Sequence, residues 1–230
     1  MQLSVIIPVF NAEQTLPRCL DSVLRQLLPE MEIIAVNDGS TDNSETVLRR
    51  YAAAYPALTV LSQPNAGQAA ARNEALRHAR GKWVLFLDAD DYWENNYLAE
   101  IVPELSDDID VLQTGYKQTQ PVVCTKKYRF LSAWSKVVRR AFLTEHRILF
   151  PEGLYYDDPV WAARLWQAGP RIALSTNTNY HYTINDLSIT ANPKPSAPVR
   201  RELRKMGLRP WSFGWLRLRL AAHFIKEKVL

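Results

Sequence analysis

With 230 residues, 47% of them hydrophobic, 23% charged and 10% aromatic, the chain has the size and balance of one soluble globular domain, with or without an appendage. The formal net charge of +4 is uneven: from Ala191 onward there are ten Lys and Arg against Glu202 and Glu227, so the tail is +8 and the first 190 residues are −4. Only Cys19 and Cys124 are present, which excludes a disulfide framework or a cysteine zinc site and implies a reducing, cytosolic setting; no secretory signal and no stretch long enough to cross a bilayer is expected.

In chain order, Leu3 to Ile7 (LSVII) is an apolar run closed by Pro8 and reads as a strand. Thr15 to Leu28 places Leu16, Leu20, Val23, Leu24 and Leu27 at helical spacing. Glu32 to Val36 repeats the strand pattern, and Asn37 to Ser44 (NDGSTDNS) supplies a turn and helix-start chemistry ahead of Val47, Leu48 and Tyr51. Leu58 to Leu61 is a third strand. The loop SQPNAG then leads into a helix from about Gln68 to Arg80, and Val84 to Leu87 forms a fourth strand. Strands alternating with helices at this spacing predict a largely parallel sheet of the doubly wound α/β type.

The fourth strand carries the most chemistry. Four apolar residues run directly into Asp88, Asp90 and Asp91. Ligands of open α/β sheets bind beyond the carboxyl ends of the strands, so this places dense negative charge at the expected binding edge. Carboxylates so close repel, and a divalent cation is the economical way to keep them ionised. The alternative is an Asp-rich turn that merely ends a strand and caps a helix. Neither G-x-G-x-x-G nor G-x-x-x-x-G-K-[ST] is present, so a nucleotide site would have to use other means than those two phosphate loops.

Four ordered stretches carry a family resemblance: SVIIPVFN (Ser4 to Asn11), VNDGSTD (Val36 to Asp42), NAGQAAARN (Asn65 to Asn73) and FLDADD (Phe86 to Asp91). WSKVVRRAFL (Trp134 to Leu143), FPEGLYYDD (Phe150 to Asp158) and YHYTINDLSI (Tyr180 to Ile189) extend it more weakly. The chain resembles the family 2 inverting glycosyltransferases of bacterial surface-polysaccharide type, with the GT-A fold. The resemblance implies a Rossmann-like nucleotide-binding half over residues 1–95, an acceptor and base half over 96–190, and a separate tail over 191–230.

By that resemblance, the enzyme moves a sugar from a nucleoside-diphosphate sugar, a UDP-sugar above all, to a hydroxyl of a glycan or lipid-linked glycan. Asp90 is implied to bind Mn²⁺ or Mg²⁺ on the diphosphate, with Asp88 facing the ribose or the outer shell of the metal. Pro8 and Phe10 would line the base pocket. Asp38 would accept from the base or ribose, and Arg72 would contact base or phosphates. Asp158 is implied as the general base, with Asp157 beside it; Asp in place of the usual Glu leaves open which of the two points inward. Asp157-Asp158-Pro159 also reads as a helix start. Asp91 is read as a ligand or a helix cap, His181 as a metal or diphosphate contact, and Lys136 as a cation for the diphosphate in place of the Arg that relatives often carry where Thr183 stands.

Residues Asn192 to Pro198 (NPKPSAP) read as a spacer, followed by a basic amphipathic helix over 211–229 with Trp211, Trp215, Leu218, Ala222, Ile225 and Val229 on one stripe. Two destinations fit: an anionic membrane surface on the cytoplasmic face, or packing onto the body or a second subunit. No nucleic-acid partner is expected. A sugar-phosphate nucleotidyltransferase is the rival enzyme class, disfavoured because PVFNAEQ after the first strand lacks Gly, Lys and Arg. A phosphotransferase or phosphatase with an Asp nucleophile would carry D-x-D after its first strand. A non-catalytic nucleotide or glycan binder is the remaining alternative.

Overall fold

The computed structural model describes residues 3–119, 124–126, 131–183 and 197–208. The segment 211–229, read above as an amphipathic helix, lies outside the described residues. In chain order the elements are β1 (Leu3–Val9), α1 (Leu16–Leu24), β2 (Met31–Asp38), α2 (Ser44–Ala54), β3 (Leu58–Gln63), α3 (Gln68–His78), β4 (Trp83–Phe86), β5 (Tyr92–Trp93) and α4 (Tyr97–Ile101). Then follow β6 (Val111–Gln113), β7 (Tyr116–Thr119), β8 (Cys124–Lys126), β9 (Lys136–Arg139), α5 (Arg140–Glu145), α6 (Asp158–Gln167), β10 (Ile172–Leu174), β11 (Tyr180–Thr183) and α7 (Ala197–Lys205).

Seven strands form the central sheet in the order β10-β6-β9-β4-β1-β2-β3. β1 pairs in parallel with β2 and β4, β2 with β3 and β6 with β10, while β9 runs antiparallel between β4 and β6. The expected α/β fold with a mostly parallel sheet is therefore present. Pro8 lies inside β1, opposite Val36, so the strand continues past the proline to Val9. A second sheet, β5-β11-β7-β8, was not foreseen. Its β11 pairs antiparallel with β5 and parallel with β7, which ties the turn after β4 to a strand some ninety residues later.

The apolar runs of β1, β2 and β4 show no polar alternation because both faces are covered. Val5, Ile7, Ile33 and Leu85 face one core with Leu16, Leu20 and Val23 of α1. Ile6, Ile34, Val84 and Phe86 face the other with Ala69, Ala71 and Ala75 of α3 and Trp161 and Leu165 of α6. In that second core Trp161 stacks on Phe150 at 4.8 Å, and Phe86 meets both rings edge-on at 5.3 and 5.6 Å. Each such ring removes roughly 200 Å² from water, on the order of 5 kcal/mol gross before ordering entropy. That packing anchors α6, whose first residue is Asp158. Gly81 is required where the chain enters β4, since a Cβ there would lie 2.5 Å from the Ser4 nitrogen.

Ala197 and Pro198, placed in the spacer by the sequence reading, instead open α7. Val199 and Leu203 of that helix pack on Val160 and Ala163 of α6. Among the described residues no helix is long and apolar enough to cross a membrane.

Candidate active site

The parallel strands deliver their carboxyl ends to one edge, and antiparallel β9 brings its amino end there. Because β1 has β2 on one side and β4 on the other, the edge contains a switch point where a crevice must open. A cleft of about 820 Å³ lies there. One wall carries Pro8, Phe10, Asp38 and Gln68, its floor Asp88 and Asp90, and the opposite wall Trp134, Asp157, Asp158 and Tyr182.

On the first wall, Phe10 is 50% exposed, an aromatic ring left beside the cleft with no core to fill. Asn11, at φ 48°, turns the chain away from β1 and accepts from the Thr41 N–H at 2.8 Å. Asp38 borders the cleft but is only 2% exposed. Its Oδ1 accepts from Gln63 Nε2 (2.7 Å) and the Ala66 N–H (2.9 Å), and its Oδ2 from the Gly67 N–H (2.8 Å). Expected to receive a base or ribose donor, Asp38 spends these contacts holding the 64–67 loop against β2. Gly39 fits beneath that loop at φ +68°, where a Cβ would lie 2.7 Å from the Asn65 nitrogen.

The acidic turn assigns its three carboxylates different surroundings. Asp88 Oδ1 accepts from Arg72 Nη2 at 2.7 Å and Gln68 Nε2 at 3.1 Å. Burial pushes the Asp90 carboxyl up to about 6, with the Asp88 charge adding to the rise and Arg18 opposing it. Asp91, fully buried, is neither a cleft residue nor a helix cap, contrary to both sequence readings. Its Oδ2 accepts from the Tyr180 hydroxyl at 2.6 Å and its Oδ1 from the Thr183 N–H at 2.7 Å, and burial raises its carboxyl well above the ordinary range.

The two walls meet behind the cleft at Arg72, which is 0% exposed. Its Nη1 lies 2.9 Å from Asp158 Oδ1 and 3.4 Å from Asp157 Oδ2, while Nη2 holds Asp88 and the guanidinium sits 5.1 Å over the Phe150 ring. The sequence placed Arg72 against base or phosphates. It sits instead behind the lining, where the run of small Ala residues in α3 leaves room for it. Asp158 has 20% of its side chain exposed against 6% for Asp157, so Asp158 is the one presented to the cleft. Burial pushes Asp157 up to about 6, Arg72 opposing and Asp158 adding. The residue before them, Tyr156, sits at φ 72°, a strained conformation for a bulky side chain that is stored next to the carboxylate pair.

Two further expectations are corrected. His181 does not border the cleft: its Nε2 lies 2.6 Å from Glu94 Oε1 and its ring stacks on Tyr92 at 4.5 Å. Lys136 is 1% exposed, with Nζ donating to the Ser132 carbonyl at 2.5 Å and lying 5.5 Å over the Trp166 ring, so it braces the turn before β9 instead of meeting a diphosphate. The Ala133 N–H of that turn lies 3.4 Å from Asp158 Oδ2. Gln68, Trp134 and Tyr182 also line the cleft, beyond the residues expected from the sequence. Tyr180 and Tyr182, two apart in β11, both stack on Trp134, at 4.5 and 5.5 Å; the alternation in YHYT was the available signal.

Among the described residues no three His, Cys, Asp or Glu side chains converge on one point. Asp90 beside Asp88 nonetheless suits Mg²⁺ or Mn²⁺, which bind through one or two carboxylates and take their other ligands from substrate phosphates and water. A carboxyl raised by burial and by a neighbouring negative charge is one that a cation would relieve.

A doubly wound sheet with an acidic turn at its switch point and a second carboxylate pair across the cleft defines a GT-A enzyme architecture. The family model described as glycosyl transferase family 2 matches residues 4–162, and the chain belongs to that family. It is 32% identical over 219 residues to the uncharacterized glycosyltransferase YibD of Escherichia coli, covering 82% of this chain and 63% of that protein. It is 30% identical over 205 residues to the poly(ribitol-phosphate) beta-glucosyltransferase of Bacillus spizizenii, covering 80% of this chain and 32% of that protein. Among solved structures, S. aureus TarS 1-349 in complex with UDP-GlcNAc aligns with a TM-score of 0.79 and 27% identity, over 89% of this chain and 65% of that one. The chain thus spans less than two thirds of these relatives.

Proposed function

We propose that the chain transfers a sugar from a UDP-sugar to an acceptor hydroxyl, with inversion at the anomeric carbon, during assembly of a lipopolysaccharide, capsule or other surface glycan. The observation that carries the reading is the pair of carboxylate groups facing one cleft, Asp88 and Asp90 on the floor and Asp158 on the far wall, joined through buried Arg72. The names of the relatives support the direction: one glucosylates poly(ribitol-phosphate), and TarS binds UDP-GlcNAc.

Phe10 and Pro8 offer the nucleoside base an aromatic ring and an apolar edge. Asp158 accepts the proton of the acceptor hydroxyl as its oxygen attacks the anomeric carbon, and the bond from that carbon to the diphosphate breaks on the opposite side. Arg72 and the Ala133 N–H hold the two Asp158 oxygens in place for that transfer. Asp90, beside Asp88, would hold a Mn²⁺ or Mg²⁺ ion, which when bound would supply positive charge to the departing diphosphate. Tyr182, half-buried and backed by the buried Trp134 ring, gives the acceptor wall an aromatic surface beside which a sugar ring can lie.

A lipid-linked acceptor would be served by docking of the basic segment 211–229 on an anionic bilayer at the cytoplasmic face. Flotation with anionic liposomes of the full chain against one ending at Leu208 decides this; equal partitioning removes the membrane role.

The reading is tested by a thermal-shift screen of nucleotide sugars with and without Mn²⁺, since a ligand that binds only the folded chain raises its melting temperature. A UDP-sugar is expected to give the largest rise, enlarged by Mn²⁺. No response to any nucleotide sugar would overturn it.

A further inference from the structure

Arg18, the third residue of α1, is absent from the cleft lining yet reaches the acidic turn from behind. Its Nη2 donates to the Asp90 main-chain carbonyl at 2.9 Å and lies 3.1 Å from the Thr183 hydroxyl, while its guanidinium sits 4.4 Å from the centre of the Tyr92 ring. One planar group therefore touches the acidic turn, the strand that follows it and the end of β11. Asp91 makes the matching ties from within the protein, to Tyr180 and to the Thr183 N–H.

We infer that Arg18 is a positioning residue for the cation-binding carboxylate: by gripping the Asp90 carbonyl and the Thr183 hydroxyl together, it locks the acidic turn to the end of β11 and so fixes where Asp90 presents its side chain. The inference rests on the reading of Asp90 as the metal-binding residue. Holding the carbonyl fixes the peptide plane between Asp90 and Asp91, and the Asp90 side chain springs from the residue that this plane ends. A guanidinium suits the role because its Nη2 carries two N–H bonds, one for each acceptor, while its flat face lies on the Tyr92 ring; a lysine ammonium can bond the acceptors but has no flat face to stack. Arg25, which caps the same helix, bonds through its side chain among the described residues only to the Asp21 carbonyl, and provides a control.

Two effects of removing Arg18 have opposite signs. Deleting a positive charge next to Asp90 would by itself favour a divalent cation. Losing the clamp lets the carboxylate wander and disfavours it. Mn²⁺ binding to the full chain in saturating UDP, read as loss of the free-ion electron paramagnetic resonance signal, therefore discriminates. Arg18→Gln is expected to weaken Mn²⁺ by about fivefold or more, the order of one lost hydrogen bond. Arg18→Lys should recover part of that loss, and Arg25→Gln should match wild type. Amide exchange should quicken together in residues 88–93 and 180–183.

Unchanged or tighter Mn²⁺ binding in Arg18→Gln overturns the proposal, as does exchange unchanged in either segment. Should Arg18→Gln not fold, Thr183→Val removes one of the two acceptors and must give a smaller loss in the same direction. If wild type with UDP takes up no Mn²⁺, the metal-site reading falls and the metal half of this role with it, while the exchange measurement still decides whether the clamp exists.

Discussion

Arg72 Nη1 lies 2.9 Å from Asp158 Oδ1, and the same guanidinium holds Asp88 Oδ1 at 2.7 Å through its other terminal nitrogen. One buried cation thus registers the donor side of the cleft against the acceptor side. It contacts three carboxylates, so the cluster carries excess negative charge whenever all are ionised, and removing the arginine would leave that charge uncompensated around the buried Asp157 and the half-buried Asp88 and Asp158. Arg72→Met is expected to cost about 3–5 kcal/mol, or roughly 10 °C in melting temperature. Arg72→Lys, which lacks the fork needed to reach both walls, should recover only part of it. Calorimetric melting of the two variants checks the order, and an Arg72→Met chain as stable as wild type would show that the contacts carry no weight.

The raised carboxyls set a pH dependence. Asp90 and Asp157 are both pushed up to about 6, so the folded chain holds their protons where the unfolded chain has released them. From about pH 4 to pH 6 stability contributed by these groups falls as pH rises, and above that window their full cost remains. Glu32, Glu94 and Asp42 are lowered and act in the opposite sense, so the measurement must be a difference. Wild type minus Asp90→Asn in urea titrations is expected to be near zero at pH 4 and to reach the order of 3 kcal/mol in favour of the Asn variant at pH 7. Adding Mn²⁺ with UDP at pH 7 should shrink that difference. A difference that does not change with pH would mean that Asp90 is not buried among like charges.

Tyr180→Phe removes the donor to Asp91 Oδ2 without changing the ring that stacks on Trp134 at 4.5 Å. The buried carboxylate then lacks one partner, at a cost of about 1–3 kcal/mol. Because Asp91 links the acidic turn to β11, the variant should also need more Mn²⁺ for half-maximal donor binding, while its affinity for UDP alone stays near wild type. Chemical denaturation and a Mn²⁺ titration check the two halves separately.

The first ninety residues were legible because their signals are local. β1, β2 and β4 are buried on both faces and read as continuous apolar runs, and the cleft residues Pro8, Phe10, Asp88 and Asp90 follow directly from where those runs end. Later strands are only two to four residues long and depend on distant partners, as β11 does on β5 and β7, so no periodicity marks them. Side-chain partners were less legible still. Asp91 sits in the same acidic run as Asp90, yet its partner Thr183 is 92 positions away and turns it inward. His181 finds Glu94 across 87 positions, and Lys136 is buried beneath Trp166, neither of which a motif can disclose. Arg18 carries no signal in the sequence, because the Asp90 carbonyl and Thr183 hydroxyl that it bonds lie 72 and 165 positions away.

The most direct test of the account uses Asp158→Asn, with calorimetry for UDP affinity in Mn²⁺ and single-turnover release of UDP from the UDP-sugar that the thermal-shift screen selects. Asn keeps the shape and the Arg72-facing position but cannot take a proton. Release is expected to slow on the order of 10²–10⁴-fold, the range for a lost general base, with UDP affinity within about twofold of wild type. Release at the wild-type rate, or loss of UDP binding together with activity, would contradict it.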